Sequence, residues 1–237
     1  MQLSSLPLLI AAIFGFLWFL VTGLHRRGAL NSVQRNHLAL LLGMLLIWGL
    51  FIGFQSSMGR LDGDGFLRLM PGYWLPYVPV LIAVTSMLLL APLREGLRVL
   101  VDETPSHWMS GIHIVRLLAL GTLIKAANGL FPPGFAWFVG GPDILFGLSA
   151  LLLTYLTWSG RLHDRVLFFW HLAGAFAILL PIVGLMHIFM AEPLFMELFR
   201  FPMIMAPALV VPTLVMLNLL VAWRLWECGE IFNKVDS

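Results

Sequence analysis

Residues 113–153 read HIVRLLALGTLIKAANGLFPPGFAWFVGGPDILFGLSALLL. Two apolar runs flank a segment of prolines, glycines and aromatics, and together they carry Arg116, Lys125, Asn128 and Asp143. Each run approaches the roughly 20 residues a helix needs to cross the hydrocarbon core of a bilayer. Charges at that depth are costly and have a partner or a task, so a polar site is to be sought around this hairpin.

The rest of the chain agrees with that reading. Of 237 residues, 60% are hydrophobic and only 11% charged, against about 25% charged in a soluble domain. Mean hydropathy is +0.93. Apolar stretches lie near 5–24, 38–54, 75–93, 110–131, 142–158, 166–190 and 203–225. They predict an all-α, polytopic bundle of about seven transmembrane helices, with residues 1–237 forming one integral membrane domain in the lipid bilayer. The pI near 9.0 bears on topology and not on nucleic acid.

The alternate loops and the C-terminal tail carry Arg26, Arg27, Arg35, Arg94, Arg98, Arg161, Arg165, Arg224 and Lys234, whereas the opposite loops carry Arg60, Arg68 and Arg200. This bias places the first set in the cytoplasm, the N-terminus outside and the C-terminus inside, as expected for a multi-pass protein of the cell inner membrane. The first apolar run precedes its positive charges, the order of a first span and not of a cleaved signal peptide. Trp74, Trp108, Trp137, Trp158, Trp170, Trp223 and Trp226 fall near span ends, where amphipathic rings favour the headgroup level. Trp18 and Trp48 lie deeper and are expected to pack. A single cysteine, Cys228, excludes an internal disulfide and a thiolate metal cluster, and no metal site is expected.

Small residues four apart, Ala11 with Gly15 and Gly49 with Gly53, offer close-packing faces. Asp62 and Asp64 form a solvated turn without the calcium-loop pattern. PGYW before the third span echoes PGFAW before the fifth, a short hint of duplicated hairpins. Pro181, Pro207 and Pro212 interrupt the last two spans, and each frees a carbonyl that a neighbour must satisfy.

Sorted by depth, the polar residues form two layers. The inner one holds His113 and Arg116 of the fourth span, His171 of the sixth and Asn218 of the seventh; the outer one holds Lys125, Asn128, Asp143 and His187. Arg116 and Lys125, nine residues apart, point to roughly opposite sides of a regular α-helix. Their alternative role is to snorkel to the headgroups. Asp143 follows Gly-Gly-Pro and suits the first turn of a helix, where a carboxylate complements the dipole. A Lys125–Asp143 pair is the expected ion pair.

The second half resembles a group of uncharacterised bacterial multi-pass inner-membrane proteins over about residues 110–225. The resemblance rests on LFPPGF, GGPDILFGLSA, FFWHLAG and FPMIMAPALVVPTLVMLNL. This chain departs from that group at Pro142, where glycine precedes the acid, at His171, where Asn is usual, and at Asn218, where His is usual. Such an exchange fits two side chains that meet. The resemblance implies a membrane domain with a polar centre and supplies no activity.

Three functions are compatible with these residues. A small transporter or permease-like protein would use His113, Arg116, His171, Asn218, Lys125, Asn128 and Asp143 as a polar site among the fourth to seventh spans. A redox protein would hold b-type haem, or another cofactor, between His113 and His171. A non-catalytic membrane subunit would pair its buried charges with another membrane protein or a second copy. H-E-x-x-H, G-x-S-x-G, P-loop and G-x-G-x-x-G signatures are lacking, so no catalytic residue is assigned and the chain does not read as an enzyme.

Overall fold

A backbone in lipid must satisfy its own polar groups, and the apolar runs do so as helices. The computed structural model describes residues 4–61, 74–189 and 191–229, and among them there is no strand. The Asp62–Asp64 turn and Pro71–Tyr73 fall outside these residues, as do the side chains of Pro181 and His187. The helices are α1 (Leu6–Arg26), α2 (Ser32–Ser57), α3 (Tyr77–Leu89) and α4 (Ala91–Asp102), then α5 (Ser106–Ala127) and α6 (Pro133–Trp158). They are followed by α7 (Asp164–Phe189) and α8 (Ala206–Glu227). Five of them, α1, α2, α5, α6 and α8, are long and apolar enough to cross a membrane, or six spans if α3 and α4 count as one broken span. This is the structure of a membrane protein. Large apolar side chains such as Leu40, Ile47, Leu81 and Leu145 stand on its outer surface.

The expected straight span at 75–93 is corrected. α3 stops at Leu89, and the chain turns by 108° into α4, which occupies the expected loop after the third span. The cause is Pro92: it has no N–H to continue the α3 ladder, and it suits the first turn of a new helix. α4 is amphipathic and buries Leu93, Leu97 and Leu100. Its polar face is tied to the end of α8, where the Arg224 guanidinium donates to both oxygens of Asp102 at 2.7 and 2.8 Å. Arg98 pairs with Glu227, its guanidinium 5.5 Å from the Trp223 ring centroid.

α6 begins nine residues earlier than the expected span at 142–158. Pro133 takes the first helical position, and the Gly-Gly-Pro that reads as a turn is instead helical. Proline 142 is accommodated by a single π-helical turn, Ala136–Gly140, just before it. The same device recurs in α8, where the π turn Ala206–Val210 precedes Pro212. Each copy follows a Phe-Pro pair, at 131–132 and 201–202, seventy residues apart. A widened turn makes room for a proline ring whose amide cannot bond. In α8 the carbonyl four residues before Pro212, that of Ala208, accepts a hydrogen bond from Trp48 Nε1 at 3.0 Å.

Trp48 thus has a polar task beyond packing, while Trp18 is 50% exposed and stands on the outer surface, against expectation. Of the two small-residue pairs, only Gly49 and Gly53 form a close face. A Cβ at Gly49 would lie 2.6 Å from Leu209 Cδ2, and one at Gly53 would lie 2.9 Å from Met205 Sδ; Gly15 faces open space.

Trp48→Phe should leave the Ala208 carbonyl buried without a donor and lower stability in detergent by about 1–3 kcal/mol. In a Pro212→Ala background, which restores a helical N–H, part of that loss should vanish. Thermal unfolding of the wild type and the three variants tests this, and additive losses would show that Trp48 acts by packing alone.

Candidate functional site

Four helices meet at one polar cluster. α5 brings His113 and Arg116, α6 brings Asp143, α7 brings His171, and α8 brings Asn218. Four of these five are buried almost completely: His113, His171 and Asn218 are fully inaccessible, and Arg116 is 2% exposed.

Asp143 is where the structure departs most from expectation. Because α6 starts at Pro133, the carboxylate sits ten residues inside the helix, about 15 Å from its beginning at 1.5 Å per residue. It is therefore not at a helix N-terminus, and its partner is not Lys125. Arg116 Nη1 donates to Asp143 Oδ1 at 3.1 Å, and the same nitrogen donates to the Gly174 carbonyl at 3.2 Å. The Arg116 side chain is wholly buried, so it does not snorkel to the headgroups. The two expected layers are thus joined by an ion pair.

Lys125 instead donates to the Met203 sulfur at 3.2 Å. Among the described residues no carboxylate lies within ion-pair distance of it. Asn128 caps the end of α5, exposed and apart from the cluster.

Lys125 and Arg116 nevertheless border the same cavity, for a local reason. Residues Ile112–Ala119 form a 3₁₀ segment within α5. At three residues per turn there and 3.6 beyond, the two side chains are set about 120° apart and not about 180°. The cavity, about 390 Å³, is also lined by Asp143, Thr122, Phe131, Met203 and Pro207.

His113, by contrast, is packed in rings. Phe146, Trp170 and His171 each lie 5.7 Å from it, centroid to centroid, edge to face. Phe146 stacks on Trp170 at 4.3 Å, and Trp170 Nε1 donates to Ser149 Oγ at 2.9 Å. The Arg116 guanidinium lies 4.6 Å over the Phe146 ring, a cation–π contact in a dry setting. His171 Nδ1 and Asn218 Oδ1 are 2.7 Å apart. The amide oxygen accepts, so the Nδ1 carries the proton. The His and Asn of α7 and α8 do meet.

Haem between His113 and His171 does not fit this arrangement. The imidazoles touch each other edge to face, Phe146 and Trp170 fill the space beside them, and the cavity borders neither histidine. Among the described residues no group of three or more His, Cys, Asp or Glu side chains could hold a metal ion.

Gly174, Phe146 and Ser149 belong to the site without standing out on their own in the sequence, and Trp170, expected in the aromatic belt at a span end, packs into the cluster instead. Gly174 carries the clearest signal in retrospect, one turn after His171 on the same face. A Cβ there would fall 2.1 Å from Phe146 Cζ and 2.6 Å from Asn218 Nδ2.

Two substitutions separate charge from packing. Asp143→Asn leaves Arg116 buried without a counter-charge and should cost about 3–5 kcal/mol; combining it with Arg116→Met should recover much of the loss, whereas Lys125→Met should recover none. Gly174→Ala should cost about 1–3 kcal/mol by overpacking, with Gly15→Ala near neutral as its control. Unfolding midpoints in detergent read both sets.

No curated protein and no solved structure matches the chain. Residues 73–226, which contain every member of the cluster, match the family described as Domain of unknown function (DUF8737). The chain belongs to that family.

Proposed function

We propose that the protein is a small transporter or permease-like protein of a cell inner membrane, with seven spans, the N-terminus outside and the C-terminus cytoplasmic. One observation carries the proposal. A cavity of about 390 Å³ has both members of the buried Arg116–Asp143 pair and the carboxylate-free Lys125 in its wall. A purely structural ion pair gains nothing from bordering open space, since solvent competes with it; a binding site for a polar solute requires that space. The π turns of α6 and α8 border the same cavity through Val139, Gly140 and Ala206. Such turns recur at functional sites because they give a helix a second local geometry.

The orientation is supported by the α4–α8 ion pairs, which gather Arg98 and Arg224 at one end of the molecule. Juxtamembrane Arg and Lys clusters face the cytoplasm. Cys228, the sole cysteine and exposed, marks that end. A membrane-impermeant maleimide should label it in inside-out vesicles and not in intact cells; the reverse pattern overturns the orientation.

Transport itself is read in proteoliposomes, using a panel of labelled anions, cations and neutral solutes of about a dozen non-hydrogen atoms, the number a cavity of this size holds. At least one should accumulate, and Arg116→Met and Asp143→Asn, checked as folded by size exclusion, should each lower the rate about tenfold or more. Uptake of none above protein-free vesicles overturns the proposal.

A further inference from the structure

The transport reading leaves the substrate unnamed, but the cavity's own chemistry narrows it. Among the described residues its titratable lining is Arg116, Lys125 and Asp143. Two cations and one carboxylate leave a net charge of +1 at membrane depth, where an uncompensated charge is costly. The carboxylate is already engaged by Arg116. Lys125 has only a thioether for a partner, and sulfur is a weak acceptor. The missing component is one negative charge beside Lys125.

The remaining wall is largely apolar, including Leu9, Phe131, Phe135, Leu198 and Val210. Part of it is also outer surface. Leu118 and Ile124 border the cavity, yet are 45% and 55% exposed on the side of α5 turned away from the bundle. Gly121, between them on the same face, is exposed and has nothing within 4 Å of a Cβ position. An apolar edge of this kind faces lipid, so a solute can enter from the bilayer with its tail still in an apolar medium.

Resting on the proposed transport function, we infer that the cavity binds an amphiphile with a single anionic headgroup and a medium-length alkyl chain, the headgroup neutralising Lys125. At about 30 Å³ per water- or methylene-sized group, the cavity holds about 13 such groups. A ten-carbon carboxylate, with twelve non-hydrogen atoms, matches that size and supplies one charge.

The test uses the full chain in nanodiscs of zwitterionic lipid, titrated calorimetrically with decanoate, and with decanol, acetate and decyltrimethylammonium as probes lacking the charge, the tail or the sign. Decanoate should bind saturably, and each comparison probe about tenfold more weakly or less, the worth of a charge-assisted contact. Lys125→Met should weaken decanoate by a similar factor, and Lys125→Arg should retain it. Asp143→Asn, which removes the carboxylate that lines the cavity among the described residues, should bind decanoate at least as tightly while losing flux. That combination distinguishes a charge effect from collapse of the site. Equal binding of decanol, tighter binding of the cation, or no effect of Lys125→Met overturns the inference. Absence of decanoate binding alongside uptake of another solute removes the substrate class alone. Binding of decanoate without flux removes the transport reading and leaves the substrate class standing.

Discussion

The Arg116–Asp143 pair is the constraint on which the rest of the cluster depends. An arginine with no accessible side-chain surface, half-way along a membrane-length helix, must meet a counter-charge, because so enclosed a guanidinium loses most of its solvation. That requirement fixes how α5 faces α6. It also fixes α7, since the same nitrogen reaches the Gly174 carbonyl, and that approach is possible only with glycine at position 174. Phe146 then fills the space under the guanidinium, and its ring sets the stack with Trp170 that walls in His113. One electrostatic demand thereby propagates through three helices as packing.

Irregular turns are what allow that demand to be met. A regular helix over 106–127 would send Arg116 and Lys125 to opposite faces, and a helix starting at 142 would leave Asp143 near the membrane surface. The 3₁₀ segment in α5 and the π turn in α6 alter rotation by tens of degrees per turn in opposite senses, because one is over-wound and the other under-wound. Both cavity-lining cations then share one space, and the carboxylate arrives at their level. The second π turn, in α8, frees the Ala208 carbonyl, which Trp48 of α2 satisfies.

Much of the fold was legible because the bilayer imposes a strong rule on composition and length. The helices at α1, α2, α5, α7 and α8 lie within a few residues of the expected spans, and His113, Arg116, His171 and Asn218 do come together. The misreadings around α6 share one cause, the treatment of proline and glycine as punctuation. In water, Pro-Pro-Gly and Gly-Gly-Pro end helices. At membrane depth the backbone cannot stay unpaired, so Pro133 starts α6 and Pro142 is absorbed by a π turn. Moving the start of α6 by one loop's length moved Asp143 from an expected cap to the centre of the site, and its partner from Lys125 to Arg116. The break at Pro92 is the opposite case, where the next residues are amphipathic and a turn into an interface is open to them. The same residue type kinks, begins or breaks a helix according to what its neighbours can bury.

The hydrogen-bond balance of the cluster gives Asp143 its weight. Arg116 Nε and Nη2, Asn218 Nδ2 and one His113 nitrogen are buried donors without a protein partner among the described residues, whereas the unpartnered acceptors are His171 Nε2 and the other His113 nitrogen, so donors outnumber acceptors in this part of the membrane domain. Against them stand one carboxylate, one backbone carbonyl and one amide oxygen. A donor-rich, dry cluster is held together by whatever negative charge it contains, because that charge both pairs with the arginine and lowers the cost of the unmatched N–H groups around it. Among the described residues Asp143 supplies that charge, and Asp143 also borders the cavity. Any anion entering the cavity therefore approaches the same field that stabilises the fold, and it meets the carboxylate as a competitor for Arg116. Stability and binding draw on one residue, which is why the change Asp143→Asn has opposite expected effects on the two.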